Sequence, residues 1–509
     1  VHKIEKGKGK MRTAEILRGR SLPFNMEHVS YKAVRHQKNG LVDFNRDRLL
    51  PMMYSNETPA LATADIDGDK IPEVYIDLGK DQSSVVLKMN GDRINVTSPI
   101  IFKQFSLAEQ TKSHFVDVDG DDDLDLYMAS GGRFFPPTSS VLIDQVLLND
   151  GQGKFTLSAE SLPFTRFIST SVVKSFDFDL DGDKDLVVGE RFNPFVYGQG
   201  GSALLFANDG KGKFSDVTKR VAPMLQDIGM VTDIEVLDYD KDGWDDIVIA
   251  GDWTSIRLLK NEKGQFKDGS SVKGLGNVRG WWNDVEVADL NKDGVPDLVC
   301  ANHGLNTFFK AGDRMYVADF DDNGTVEQIF CTSIDGKDYP VLDKDDLLSQ
   351  LPGLKKQLLY YKDYARRSID QLFRKEKLAE ARVYEVDELA SVVFLSDRSG
   401  GYKKMLLPKE AQFSPLYAIL IDDIDNDGIH DVIAGGNQYL VKPQFGRYDG
   451  SDGWFFKGRI TNREFTFDAG VSLNVRGQIR DIEMVESKNT KYLLFAKYDD
   501  ELEIFKILQ

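Results

Sequence analysis

Short apolar runs rich in β-branched residues recur along this chain, each stopping at an aspartate-rich turn and starting again just after it. ALATA, VVKSF, IEVL, VEVA, MYVA and AILI precede the turns; LDLYMAS, DLVVGE, DIVIAG, DLVCAN and DVIAGG follow them. Bounded by Gly and Asp, such runs read as strands and are too short for independent helices. The turns share the pattern D-x-D/N-x-D/N-G-x-x-D/E. They read DIDGDKIPE from Asp65, DVDGDDDLD from Asp117, DFDLDGDKD from Asp177 and DYDKDGWDD from Asp238. DLNKDGVPD from Asp289, DFDDNGTVE from Asp319 and DIDNDGIHD from Asp423 complete the set, with starts 52, 60, 61, 51, 30 and 104 residues apart. A second hairpin usually follows, as in LLNDGQGKF (147–155), LLFANDGKGKF (204–214), LLKNEKGQF (258–266) and FLSDRSGGY (394–402). Asn and Gly in these turns tolerate the positive φ that a tight hairpin requires.

Four short antiparallel strands in every 50–60 residues or so predict an all-β fold, a β-propeller of seven or eight four-stranded blades. GQIRDIEMV at 477–485 is an eighth inner-strand signal without an acidic loop. Eight blades are therefore expected, the fifth abbreviated; merging the units at Asp289 and Asp319 would leave seven. The spacing turns helical from Leu342 to about Arg382, with Leu354, Leu358, Tyr361 and Ala365, then Ile369, Leu372 and Phe373. This predicts a helical insertion over 342–382, inside the sixth blade, with its apolar stripe packed on the propeller. The propeller domain is expected over 41–509. Residues 1–40 are read as an arm or the end of a preceding domain, and LVDFNRDRLLP (41–51) as the closing strand.

The acidic turns have the chemistry of calcium sites. Calcium takes six to eight oxygens, and carboxylates at loop positions 1, 3, 5 and 9, with a carbonyl at 7, supply them from nine residues. The ligand sets are Asp65, Asp67, Asp69 and Glu73; Asp117, Asp119, Asp121 and Asp125; Asp177, Asp179, Asp181 and Asp185; and Asp238, Asp240, Asp242 and Asp246. Three more are Asp289, Asn291, Asp293 and Asp297; Asp319, Asp321, Asn323 and Glu327; and Asp423, Asp425, Asp427 and Asp431. The last acid at position 9 enters a strand, unlike the helical twelfth-position ligand of an EF-hand. Up to seven calcium ions are expected, with the first, second and sixth loops the weakest because Lys70 and Asp122 replace Gly and Asn323 and Glu327 replace Asp.

The formal charge of −18 argues against nucleic acid as a partner, because phosphate binding needs a basic surface. No stretch approaches the roughly 20 apolar residues of a membrane-spanning helix. Membrane association would then run through a partner or an anchor upstream of Val1. Extracellular sites of this kind bind calcium at roughly 10⁻⁴–10⁻³ M, which places the chain outside the cell or on its surface. Cys300 and Cys331 lie in strand-like runs, as two buried thiols or as one bridge. The six His residues form no metal-ligand spacing, and neither G-x-S-x-G nor H-E-x-x-H occurs. No catalytic residue is assigned, and the chain is not expected to be an enzyme.

On its seven loops, from Leu61 to the C-terminus, the sequence resembles the FG-GAP/VCBS repeat family, with its integrin-α-like propeller. GMVTD, GWWND, ANHGLN, LPKEAQFSP and GNQY…GRYDGSDGW resemble the propeller regions of bacterial ASPIC/UnbV-type surface proteins of Bacteroidota. That resemblance implies a surface lipoprotein, or an accessory subunit of an outer-membrane uptake assembly, that binds or scaffolds a protein or glycan. Opposite the calcium loops, the turns entering strand one and leaving strand two are aromatic and basic. Arg133, Phe134, Arg191, Phe192, Tyr197 and Trp253 are candidate ligand contacts there, with Trp281, Trp282, His303, Tyr439, Arg447 and Tyr448. The alternative is a propeller-type hydrolase or lyase acting on extracellular polysaccharide.

Overall fold

Among the described residues the strands form eight four-stranded antiparallel sheets, one of which carries a fifth strand at its side, and one two-stranded hairpin, Gly458–Thr461 with Glu464–Phe467. The computed structural model describes residues 21–508, apart from 92, 164, 165, 270–273, 277, 398 and 399. Seven inner strands stand side by side in chain order: Ala60–Ala64, Glu109–Val116, Thr170–Phe176, Met230–Leu237, Asp284–Ala288, Leu416–Asp422 and Gln478–Ser487. Polar links join them. Thr111 Oγ1 donates to Thr170 O (2.6 Å), Ser171 Oγ to Val231 O (2.8 Å) and Thr232 Oγ1 to Trp282 O (2.7 Å). Ile419 N donates to Asp284 Oδ2 (2.7 Å), and Leu61 N to Asp481 Oδ2 (2.8 Å) closes the circle.

The ring thus has seven blades, and the eighth sheet lies outside it. Arg314–Ala318, Glu327–Ile334, Lys337–Pro340 and Arg382–Glu385 build that sheet. It is inserted between the second strand of blade five (Asp297–Ala301) and the third (Val392–Ser396), which pair with Leu298 opposite Phe394. The expected eight inner strands therefore resolve as seven blades plus an insert, and the insertion belongs to blade five, not six. The open edge of Asp297–Ala301 needs a partner, and SVVFL is the strand that reaches it.

The closing strand also differs from expectation. Asn25–His28 pairs antiparallel with Glu503–Leu508, Asn25 opposite Leu508 and Met26 opposite Ile507. Phe24 packs on Phe455 at 5.1 Å, and the Tyr31 hydroxyl donates to Leu502 O (2.6 Å). Residues 25–36 are therefore part of the propeller; residues 1–20 of the expected arm lie outside the described residues. The stretch 41–51 holds one turn, Asp43–Asn45, and runs over the ring face instead. Its Asp43 and Asp47 are buried ion-pair partners of Arg133.

Apolar clusters lie between neighbouring blades, as with Val172, Phe176 and Val187 against Val231, Ile234 and Ile249. The insertion is helical in short pieces: Lys344–Gln350, Tyr361–Tyr364, Ile369–Leu372 and Lys375–Glu380. Asp343 caps the first by accepting from Asp346 N, and Pro352 prevents that helix from running on. The buried stripe packs on the inserted sheet, Leu347, Leu358 and Ile369 against Ile329 and Cys331. Tyr361, expected in the stripe, is exposed. Cys300 and Cys331 are free, buried thiols.

Candidate metal loops, capped face and axial cavity

Each acidic loop is shaped by its own first and last carboxylates. Asp177 accepts Asp181 N and Gly182 N (both 3.1 Å); Asp238 and Asp423 do the same for Asp242 and Gly243, and for Asp427 and Gly428. In the first two loops Gly has moved to position 4, and Lys70 and Asp122 adopt φ of 69° and 68° at position 6. The folding bonds survive there, with Lys70 N on Asp65 and Asp122 N on Asp117. The last acid ties the loop to the blade. Asp125, for example, accepts Val118 N (2.9 Å) and the N–H of Asn149 (2.8 Å), the residue just after the third strand.

The middle carboxylates are left facing one another. Among the described residues, the trios that bring one ligand oxygen each within 4.8 Å of the others include Asp65–Asp67–Glu73, Asp117–Asp119–Asp125, Asp177–Asp179–Asp185, Asp238–Asp240–Asp246 and Asp319–Asp321–Glu327. Asp67 Oδ1, Asp119 Oδ1, Asp183 Oδ1 and Asp425 Oδ1 are buried without a hydrogen-bond donor. Unpaired buried carboxylate oxygens are costly, and a hard divalent cation is the group that fits an all-oxygen cluster. The loops therefore fit calcium. Burial and neighbouring aspartates raise Asp119 and Asp179, and burial pushes Asp125 up to about 6 and Asp185 up to about 7. The Asp289 loop is more self-contained. Asn291 Nδ2 and Ser396 Oγ both donate to Asp297 Oδ1, at 3.4 and 2.8 Å.

Residues 117–188 and 238–300 match the FG-GAP-like repeat. These two FG-GAP-like stretches carry the loops at Asp117, Asp177, Asp238 and Asp289. No curated protein matches the chain. Among solved structures, BBS1N from its complex with ARL6DN is similar at 10% identity and a TM-score of 0.45, covering 91% of this chain and 95% of that one. Saccharomyces cerevisiae Sqt1 is similar at 12% identity and a TM-score of 0.42, covering 91% of this chain and 100% of that one.

One contact between neighbouring blades was not among the expectations. Asn149 Nδ2 donates to Ile66 O (2.9 Å) in the loop of the preceding blade. Asn208 does so to Val118 O (2.9 Å) and Asn261 to Phe178 O (2.8 Å). The Asn of each N-D-G or N-E-K-G hairpin thus latches neighbouring blades. The repeated Asn was the available signal.

The expected aromatic face is not open. Phe192, Tyr197, Trp253 and Trp281 are buried in one cluster with Met315 and Phe330 of the inserted sheet. Tyr197 stacks on Phe330 at 6.3 Å, and Trp253 meets the same ring at 5.7 Å. Gly198 has φ of 88°, and a Cβ there would stand 2.7 Å from Val317 of the insert. Arg133 and Arg191 are consumed by buried ion pairs, Arg191 Nη2 donating to Asp252 Oδ2 at 2.7 Å. His303 packs against Trp281 and Tyr448, both at 4.8 Å, and burial lowers it to about 3. Trp282 lies between blades four and five, with Nε1 donating to Thr254 O (3.0 Å). Of the twelve candidates, Phe134, Tyr439 and Arg447 keep solvent exposure. Large rings at the blade ends are drawn under the insert because that contact removes them from water.

Within the ring lies a cavity of about 460 Å³, lined by Lys112, Lys174, Asp233, Asp284, Glu286 and Glu483 and bordered by Arg191 and Arg480. Lys112 Nζ is 3.0 Å from Asp481 Oδ2, and Lys174 Nζ is 2.5 Å from Glu235 Oε1. Burial, and then Asp233, hold Asp284 well above the ordinary carboxylate range; burial and Glu235 do the same to Glu286. Burial and Asp481 push Glu483 up to about 7. These residues are not among the expected site residues. Their signal is D-x-E at one position of three inner strands, in DIEVL, DVEVA and DIEMV.

Proposed function

We propose that the chain is a non-catalytic, calcium-stabilised propeller of the cell surface or exterior that scaffolds a protein partner, as an accessory subunit of a larger surface assembly. The unpaired carboxylate oxygens of the loops suit a calcium-rich compartment, and the likeness to ASPIC/UnbV-type surface proteins points the same way. One observation carries the scaffold reading over a receptor reading: the insert occupies the aromatic face. Apolar surface left for a partner includes the tip of the insert, where Leu359, Tyr360 and Tyr361 are 68%, 63% and 55% exposed. A glycan is the other occupant to be distinguished. A photo-crosslinking residue at Tyr360, introduced in the source cells, should yield one defined protein adduct in millimolar calcium. The same residue at Ile100, 86% exposed in the connection between blades one and two, should yield none. No adduct at position 360, or the same adducts at both sites, would remove the scaffold reading.

The cavity favours a second reading, hydrolysis or cleavage of an extracellular polysaccharide. Paired carboxylates whose environments hold one protonated are the usual acid–base apparatus, and Asp284 beside Asp233 has that character. Sugar release that Asp284→Asn abolishes would establish it; no release from neutral and acidic polysaccharides would leave the scaffold.

A further inference from the structure

Three of the ring loops contain a cation of their own. Lys88 Nζ lies 2.8 Å from Asp69 Oδ2 and 3.3 Å from Glu73 Oε1, and also bonds Asp67. Lys260 Nζ is 2.8 Å from Asp242 Oδ2 and bonds Asp240. Lys457 Nζ is 2.6 Å from Asp427 Oδ2 and bonds Asp425. Lys88 and Lys260 come from the third strand of blades one and four, and Lys457 directly follows the third strand of blade six. Lys260 and Lys457 immediately precede Asn261 and Gly458, whose N–H groups donate to the last acid of the loop. The matching residues are Leu148 in blade two, Ala207 in blade three and Leu395 in blade five, which precede Asn149, Asn208 and Ser396. None of these carries a charge. Among the described residues no Lys or Arg pairs with a ligand position of the Asp117 or Asp177 loop, so that buried, donor-less oxygens, which both groups of loops contain, face no ammonium there.

We propose that five of the seven loops fall into two kinds. Those at Asp117 and Asp177 are the tight calcium sites. Those at Asp65, Asp238 and Asp423 hold a lysine ammonium against the carboxylates that would take the ion, and calcium enters them only by displacing it. An ammonium and a divalent cation a few ångströms apart repel, and they compete for the same oxygens. The lysine stems are partly exposed, so each head group can swing into water. Blades one, four and six therefore keep their loops closed without metal, while neighbouring blades two and three depend on it. Chelation should loosen the ring on one side.

This inference rests on reading the loops as calcium sites, and calorimetric titration of calcium into the metal-free full chain separates the two. The wild type should show a tight phase of about two ions and a weaker one. Lys88→Met, Lys260→Met and Lys457→Met combined should move about three ions into the tight phase, with affinity rising about ten-fold or more. Unchanged stoichiometry and affinity in the variant would overturn the lysine proposal while sparing the calcium reading. No binding by either protein would remove the calcium reading, and the lysine proposal with it. Hydrogen exchange of the wild type guards against a misfolded variant. On chelation, exchange should rise at 117–125 and 177–185 and stay low at 65–73, 238–246 and 423–431; a uniform rise overturns the proposal.

Discussion

Arg133 Nη2 donates to Asp47 Oδ2 at 2.6 Å, with both side chains buried, and so ties the stretch 41–57 across the ring. Asp43 lies on the same guanidinium, at 3.3 Å from Nη1, and its Oδ2 also accepts Tyr54 N (2.6 Å). Tyr54 in turn stacks on Tyr197 at 3.8 Å. A residue that looked like a surface anchor is thus the cation of a buried network.

Arg133→Met should cost about 3–5 kcal/mol, because it leaves buried Asp43 without its counter-ion and Asp47 with Arg46 alone, at 3.1 Å. Chemical denaturation at fixed calcium measures this. A loss under about 1 kcal/mol would mean that the network is hydrated and does not hold the face.

Chelation should lower the melting temperature, and calcium should restore it where equal magnesium does not. At 10 mM calcium, a site of roughly 10⁻⁴–10⁻³ M affinity contributes about 1.4–2.7 kcal/mol. Calorimetry with and without EDTA gives the answer; an unchanged melting temperature would mean that the loops hold no structural ion.

Removing the chain through His28 should open the ring. It exposes the edge of Glu503–Leu508 and takes Phe24 from Phe455. Faster amide exchange at 503–508, with a lower melting temperature, is the expected result. Full protection of that strand without residues 25–28 would show that another segment closes the circle.

Glu109 gives a pH signature. Burial first, and then Glu57 and Asp43, push it from 4.5 up to about 8, with Asn39 Nδ2 donating at 3.1 Å. Because the folded-state value lies above the unfolded one, its ionisation penalises the fold. The penalty is absent below pH 4.5, grows as pH rises, and is complete above pH 8. Glu109→Gln should flatten that part of the stability–pH curve and be the more stable form at pH 9, in thermal melts at constant calcium. Parallel curves for the two proteins would contradict the shift.

The loops and hairpins were legible because their chemistry is local. Asp177 folds its loop through amides four and five residues away, and the glycine at position 6 takes the φ that side chains avoid. The helical insertion was legible by spacing, though Pro352 divides it into shorter pieces. The Asn149 latch was half legible: its turn chemistry was evident, its bond to Ile66 O in the preceding blade was not. The D-x-E strands were misjudged because acid was already accounted for by the loops. Only the ring brings Asp233 to Asp284 and Lys112 to Asp481.

By itself the sequence determined the strands, the acidic turns and the repeat that makes a propeller, since each depends on contacts within a few residues. Tertiary structure decided the rest: seven blades with an inserted eighth sheet, closure by Asn25–His28, and the burial of Trp253 and Trp281 under that insert. These choices depend on which strand edges and ring faces are left unpaired when the circle forms. Leu298 finds Phe394 across the whole insert because both complete one sheet, and no local pattern records where such an edge will be met.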